Sequence, residues 1–116
     1  MSNSALLSSE KAAPLVLADH AQHVGHGIVS RTVLATAELR VVLFSFAAGQ
    51  SLTEHTSTSR ALLHVLTGEG ELQFGEEKRV FHAGEILHLP PNVPHAVRAI
   101  EPMTMMLMLA PERKPA

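Results

Sequence analysis

Short runs of apolar and β-branched residues, separated by turn-forming residues, are the main pattern along this chain. The runs span residues 28–34, 38–47, 62–67, 71–74, 79–82, 86–89, 95–99 and 103–109. Their lengths and their content of Val, Ile, Leu, Thr and Phe are typical of β-strands. Turn signals recur at a spacing of roughly 8–12 residues, as in all-β sandwiches and barrels. The pattern therefore predicts an all-β fold.

The two ends of the chain lack this pattern. Residues 1–14 mix Ser and Ala with one Glu-Lys pair and predict a frayed N-terminal tail, whereas the charged, proline-flanked residues 111–116 predict a C-terminal tail. Residues 15–110 between them are expected to form a single domain, in which 15–24 is either a short helix or an extended segment.

Neither a targeting signal nor a membrane segment is predicted. The N-terminus lacks the basic start, continuous apolar stretch and cleavage site of a signal peptide. No apolar run approaches the ~18 residues of a membrane helix. We therefore expect a cytoplasmic protein without a membrane partner.

The net charge and the composition limit the binding partners and the reactive side chains that the chain can have. Nine Lys and Arg against eleven Asp and Glu give a formal net charge of −2, which provides no basic surface for nucleic acid. The absence of Cys excludes disulfides, thiolate nucleophiles and Cys-ligated zinc. Eight His residues remain as the main candidates for ligand or metal binding.

The centre of the chain contains two spaced sets of residues. In the first set, five residues separate Gly49 from His55, and Gly68 closes the stretch. In the second set, Gly84 and Pro90 precede His95.

Asn92 stands in the second set where a glycine would be expected, and Asn tolerates a positive φ better than most residues. With this substitution, the two sets resemble the two sequence motifs of the cupin superfamily. The resemblance covers about residues 28–109. It implies a double-stranded β-helix or jelly-roll barrel with a short N-terminal extension, a small organic ligand inside the barrel, and a homodimer.

The resemblance also raises the question of whether this chain has the metal ligands of the family. Typical cupins hold a divalent metal with three His and one Glu, but here Ser57 stands at the second His position and Ala61 at the Glu position. His55 and His95 are the remaining candidates for a Zn, Ni, Fe, Mn or Cu ion, and two imidazoles without a carboxylate form a weak site for Fe or Mn.

Two other histidines are candidates for a third metal ligand. His88 lies beside the second motif and His64 follows the Glu position by three residues, so either is a candidate. Strand alternation predicts that His64 faces away from the barrel interior. The same argument keeps Glu54 from facing inward together with His55 unless the strand contains a bulge.

The methionine-rich run at 103–108 has two interpretations. Thioethers are soft copper ligands, but a strand that is apolar on both faces is more typical of a buried strand packed with adaptable side chains. The expected ligand pocket contains His55, His95, Ser57 and Met106. His20, His23 and His26 are interpreted as a surface cluster.

The sequence and the resemblance lead to two functional hypotheses. The first is a small-molecule-binding cupin which, if it holds a metal and is an enzyme, resembles dioxygenases, isomerases or decarboxylases. The alternative is a non-enzymatic ligand sensor or binding module without metal, similar to the sugar-sensing domains of transcription regulators.

Overall fold

The computed structural model describes residues 5–112, which fold into two antiparallel sheets packed face to face. Within this range there are nine strands and one short 3-10 helix, Leu17–His20. The strands are β1 Ile28–Ala35, β2 Arg40–Phe46, β3 Ser51–His55, β4 Ser59–Thr67, β5 Glu69–Phe74, β6 Glu77–His82, β7 Ile86–Leu89, β8 His95–Ala99 and β9 Met103–Pro111. The all-β prediction is confirmed.

The strand order interleaves distant parts of the chain. One sheet has the order β1-β2-β9-β4-β7 and the other has the order β3-β8-β5-β6. Apart from the hairpins β1-β2 and β5-β6, consecutive strands thus alternate between the sheets, as in a jelly roll. As a result β3 and β8, which carry the two motif histidines, become neighbours in one sheet.

The main core lies between the two sheets. Its members alternate with outward-facing residues along each strand, and Phe46, Val65, Leu72, Met103 and Met105 are each 0% exposed. This alternation follows from the two-residue period of side-chain direction in a strand. The core therefore makes the space between the two sheets apolar.

Most predicted strands agree with the structure, and the differences have local causes. The boundaries of β7 and β8 were predicted correctly. Strand β3 was not predicted, because in Ser51–His55 only Leu52 is apolar. The hairpin loop predicted over 75–78 is shorter than expected, since β6 already begins at Glu77.

The N-terminal segment is packed against the outer face of the five-stranded sheet. The backbone amides of Leu6 and Leu7 donate to the carbonyls of Thr32 and Val33, at 3.0 and 2.8 Å. Their side chains join a second apolar cluster that includes Leu43. The prediction of a frayed tail is thus wrong for these residues, while its residues 1–4 lie outside the described range. We call residues 5–23 the N-terminal strap.

The C-terminal end also departs from its prediction. Strand β9 continues to Pro111, and Glu112 forms a two-point ion pair with Arg60. Residues 113–116 of the predicted tail lie outside the described range. Among residues 5–112 no helix is long and apolar enough to cross a membrane.

Candidate functional site

His55 and His95, which we call the histidine pair, lie side by side at one end of the four-stranded sheet. His55 ends β3, His95 begins β8, and the two are directly opposed in the strand register. Between them and the preceding pair, Leu52 and Val97, the register shifts, so that three residue steps on β3 match two on β8. This bulge places His55 on the same face as Leu52.

The two imidazole rings are in contact. Their centroids are 4.2 Å apart and the ring planes meet at 62°, an edge-to-face arrangement. His95 is only 7% exposed, whereas His55 is exposed. The pair therefore extends from the protein interior to the solvent-exposed surface. A ligand entering at this end would meet His55 first and His95 deeper in the barrel.

Both rings are oriented by backbone carbonyls. The Nδ1 of His55 lies 3.0 Å from the carbonyl oxygen of Thr53, and the Nδ1 of His95 lies 3.0 Å from that of Val93. Because a carbonyl oxygen only accepts hydrogen bonds, each Nδ1 carries the proton and donates it. In the neutral rings, Nε2 therefore keeps its lone pair.

Burial favours the neutral form of His95. Desolvation lowers the pKa of His95 below the usual histidine value, and the nearby His55 lowers it further, although the hydrogen bond to Val93 acts in the opposite direction. The inner imidazole is thus a hydrogen-bond acceptor near neutral pH.

The surroundings of the pair are mainly apolar. Phe74 is the register partner of His95 on β5, and its ring packs edge-on against that of Phe81, with centroids 6.3 Å apart. Across the interior, Ala61 is 3% exposed and is paired with Leu89 on one side and Leu109 on the other. The position that would carry a carboxylate in the family pattern is a methyl group in the core.

Ser57 follows His55 by two residues, and its polar atoms have local partners. Its hydroxyl oxygen accepts the amide proton of Ser59, at 3.1 Å, and its carbonyl oxygen accepts that of Asn92, at 2.7 Å. Asn92 has a φ of 68°, as its place in the motif implies. Ser57 therefore connects the two motif loops, and its predicted part in the ligand pocket stays a prediction.

Glu54 does not join the site despite the bulge. Its carboxylate accepts a hydrogen bond from the Gln73 amide at 3.0 Å, and Gln73 alternates with the inward-facing Leu72 and Phe74. The carboxylate therefore lies on the outer face of the four-stranded sheet.

The candidate third ligands are not brought to the pair. His88 is exposed on the outer face of β7, between the buried Leu87 and Leu89, and its Nε2 accepts a hydrogen bond from Arg60 at 2.8 Å. His64 also lies on the outer face of the five-stranded sheet, opposite Ile86 in the register. Strand alternation directs both side chains away from the interior, which corrects their assignment as ligands.

Met106 must likewise be removed from the predicted pocket. The inward-facing methionines of β9 are Met103 and Met105, whereas Met106 packs in the cluster beneath the N-terminal strap, together with Met108. The strand is apolar on both faces because the strap covers its outer side, and the packing interpretation of the methionine run is confirmed.

The donor set does not fit the metal centre implied by the family. The described residues contain no group of three or more His, Asp or Glu placed to hold a metal ion. Of the residues that the family pattern would use, the structure brings together the two imidazoles of the histidine pair, with a buried methyl where the carboxylate would stand. Two neutral nitrogen donors are fewer than the facial set expected for Fe or Mn.

Sequence reasoning did not identify the carbonyls of Thr53 and Val93 or the ring of Phe74. A backbone carbonyl carries no sequence signal, because every residue has one. Phe74 had a usable signal, since it ends a strand with alternating polar and apolar residues, on the same face as Leu72.

Comparisons with known proteins agree on the fold. A family model described as "Cupin domain" matches residues 42–110, more than half of the chain. No curated protein matches the chain.

Solved structures give matches over most of the chain. A conserved protein of unknown function from Streptococcus pyogenes is 26% identical, with a TM-score of 0.82, 96% of this chain and 97% of that one covered. A cupin superfamily protein from Desulfitobacterium hafniense is 24% identical, with a TM-score of 0.81 and coverages of 91% and 95%. A cupin 2 conserved barrel domain protein from Leptotrichia buccalis is 34% identical, with a TM-score of 0.76, and the match spans 80% of this chain but 45% of the other.

Proposed function

The chain belongs to the cupin domain family, and from this premise we propose that it binds a small organic molecule at the histidine pair through the two Nε2 atoms. One observation carries the proposal. Both imidazoles donate Nδ1–H to a backbone carbonyl, so each neutral ring has at Nε2 an acceptor without a hydrogen-bond partner among the described residues.

This arrangement selects the chemistry of the ligand. Two acceptors favour a polar head that donates hydrogen bonds, such as a hydroxyl or an amine. Phe74, the register partner of His95, and the apolar core residues Ala61, Leu89 and Leu109 of the opposite sheet favour an apolar body. The proposed ligand is therefore a small alcohol or amine with a hydrocarbon part.

Binding is tested by titrating the protein with benzyl alcohol and benzylamine while the ¹⁵N resonances of the imidazoles are recorded. We expect the Nε2 resonances of His55 and His95 to shift on titration, and the affinity to fall at least about tenfold in His55→Ala and His95→Ala. His64→Ala is the matched control, because this residue lies on the outer face and should leave the affinity unchanged.

Two outcomes would contradict the proposal. One is an unchanged affinity in both variants of the pair, and the other is an equal loss in the His64→Ala control. Either result would place the ligand elsewhere.

The metal form of the site is tested separately by elemental analysis of protein purified without a polyhistidine tag. We expect no stoichiometric Zn, Ni, Fe, Mn or Cu, because the donor set offers two imidazoles and no carboxylate. Near-stoichiometric metal that disappears in both His55→Ala and His95→Ala would contradict the metal-free form and support the metal-dependent one.

A sensor and an enzyme differ in what happens to the bound molecule. A binding module returns the ligand unchanged, whereas an enzyme of the dioxygenase, isomerase or decarboxylase type consumes it. Following a bound ligand by proton NMR over hours, with His95→Ala as the blank, distinguishes the two. We expect the ligand to be returned unchanged.

A further inference from the structure

A cavity lies on the opposite side of the five-stranded sheet from the barrel interior. It is about 230 Å³ in volume, lies between the N-terminal strap and the outer face of the sheet, and is open to solvent on one side. Leu17, Ala18, Ala21 and His23 of the strap form one wall, and Leu43 and Leu66 of the sheet form the other. Its walls are therefore mainly hydrocarbon, and the exposed His23 lies at its rim.

The strap that forms this cavity is fixed at both of its ends. At one end, the amides of Leu6 and Leu7 donate to the backbone of β1. At the other end, the amide of Gln22 donates to the hydroxyl of Ser45, a residue only 3% exposed, at 3.0 Å. The cavity is thus formed by hydrogen-bonded backbone and exists before any ligand binds, which lowers the entropic cost of binding.

The floor of the cavity contains the hydrogen-bonded hydroxyls of Thr67, an exposed residue, and Thr104, which is buried. The two oxygens are 2.6 Å apart, and the oxygen of Thr67 also accepts the amide proton of Thr104, at 3.2 Å. Two hydroxyls carry two protons, and the bond between them uses one. Whichever residue donates, one hydroxyl proton has no acceptor among the described residues.

We propose that this cavity is a ligand site separate from the histidine pair, and that it takes a small apolar molecule with a single hydrogen-bond-accepting oxygen. A closed apolar cavity of about 150 Å³ is large enough for benzene. The present cavity therefore fits a benzene-sized body with a short carbonyl arm. The hydrocarbon walls would hold the body, and the free hydroxyl proton would be donated to the oxygen.

The test uses acetophenone as the probe, with cumene as a hydrocarbon of similar shape and benzoate as the charged form. We expect acetophenone to bind about 2- to 10-fold more tightly than cumene, the contribution of one hydrogen bond. Comparison of acetophenone with benzoate shows whether the bound acceptor oxygen belongs to a neutral carbonyl group or to a carboxylate. Binding is measured by calorimetry, and its location by amide chemical shifts of strap residues.

Two variants locate the probe. Ala21→Phe places a ring in the cavity and should abolish binding of both acetophenone and cumene. Ala13→Phe is the matched control, since it makes the same change at an exposed strap position that does not line the cavity. Thr67→Val combined with Thr104→Val removes both hydroxyls and should remove the preference for acetophenone over cumene while leaving cumene binding intact.

Three results would overturn the proposal: affinity unchanged in Ala21→Phe, equal losses in Ala21→Phe and Ala13→Phe, or loss of acetophenone binding in His55→Ala. The last would show that the probe occupies the barrel instead.

Discussion

The imidazole of His95 is nearly excluded from water, and its Nδ1–H is donated to the backbone. Burial lowers the pKa of His95, because transfer of the protonated ring from water to the protein interior is unfavourable. The unfolded chain lacks this constraint and takes up a proton as the pH falls through about 6.5. The unfolded state thus binds more protons than the folded state below this pH.

The first prediction concerns the pH dependence of the free energy of unfolding. The stability that His95 contributes is fully present above about pH 6.5 and is lost as the pH decreases through the window below it. We expect the free energy of unfolding, measured in urea, to fall less for His95→Gln than for the unsubstituted protein when the pH is lowered from about 7.5 to about 5.

Val97→Ala is the control for this experiment, since Val97 is buried on the same face of β8 and its truncation is destabilising without removing the imidazole. It should keep the pH dependence of the unsubstituted protein. Parallel pH profiles for His95→Gln and the unsubstituted protein would contradict the assignment.

At this scale, the residues that could be predicted are those fixed by motif spacing. His55 and His95 were identified in this way, and so was the positive φ of Asn92. What could not be predicted was the direction of side chains on strands covered on both faces. In β9, Met105 faces the interior and Met106 faces the strap, and apolar character alone does not distinguish them.

At the scale of elements, the connection between β4 and β5 requires a residue without a side chain. Gly68 has a φ of 79°, and a Cβ there would overlap the carbonyl oxygen of Pro102 and lie 2.9 Å from the Cα of Met103. Both obstacles are backbone atoms, which cannot rotate away. A Cβ at Gly70 would instead meet chiefly the flexible side chain of Met103, with the sulfur at 2.6 Å, and would lie 3.2 Å from the carbonyl oxygen of Arg98.

The second prediction compares the two glycines. We expect Gly68→Ala to cost about 3 kcal/mol or more, since the left-handed conformation alone costs about 1–2 kcal/mol for a residue with a Cβ. Gly70→Ala should cost about 1–2 kcal/mol, because overpacking there is relieved by movement of Met103. Chemical unfolding of both variants measures the difference, and equal costs would show that the β4–β5 connection tolerates a Cβ.

The bulge in β3 illustrates why this element was not predicted. Strand signals depend on alternating apolar residues, and Ser51–His55 contains only Leu52. Regular alternation would put Leu52 and His55 on opposite faces, because they are three residues apart. The extra residue reverses this parity, and its position is set by pairing with β8, which is distant in the sequence.

At the scale of the whole molecule, the strap covers only one side of the outer face of the five-stranded sheet. On the other side, Leu62 of β4 and Ile86 of β7 are 37% and 56% exposed. In the register, Leu62 is paired with His88, and Ile86 is paired with His64. We predict that this surface forms the interface of the homodimer that the family resemblance implies.

The third prediction is a dimer that forms through this surface. With 12.5 kDa per chain, light scattering should give about twice that mass for the unsubstituted protein and one chain for Leu62→Glu combined with Ile86→Glu. The control is Val16→Glu combined with Val24→Glu, which introduces the same charges at exposed apolar positions of 62% and 48% on and beside the strap. A monomeric unsubstituted protein, or a dimer that persists in the first double variant, would contradict the prediction.

The overall fold was more predictable than its N-terminus. Turn spacing and strand-length runs depend on local residue choice, which the sequence displays directly. The strap depends on contacts between Leu6 or Leu7 and strands more than twenty residues away, and a short segment of mixed composition gives no periodic signal for them.

The hydrogen bonds from Leu6 and Leu7 to β1 have a consequence for solubility. Strand β1 is the outermost strand on its side of the five-stranded sheet, and an uncovered edge is a template for pairing with other chains. The two amides occupy carbonyls that such pairing would use. Deletion of the strap would therefore expose this edge together with the apolar cluster around Leu43, so that a truncated chain is expected to aggregate.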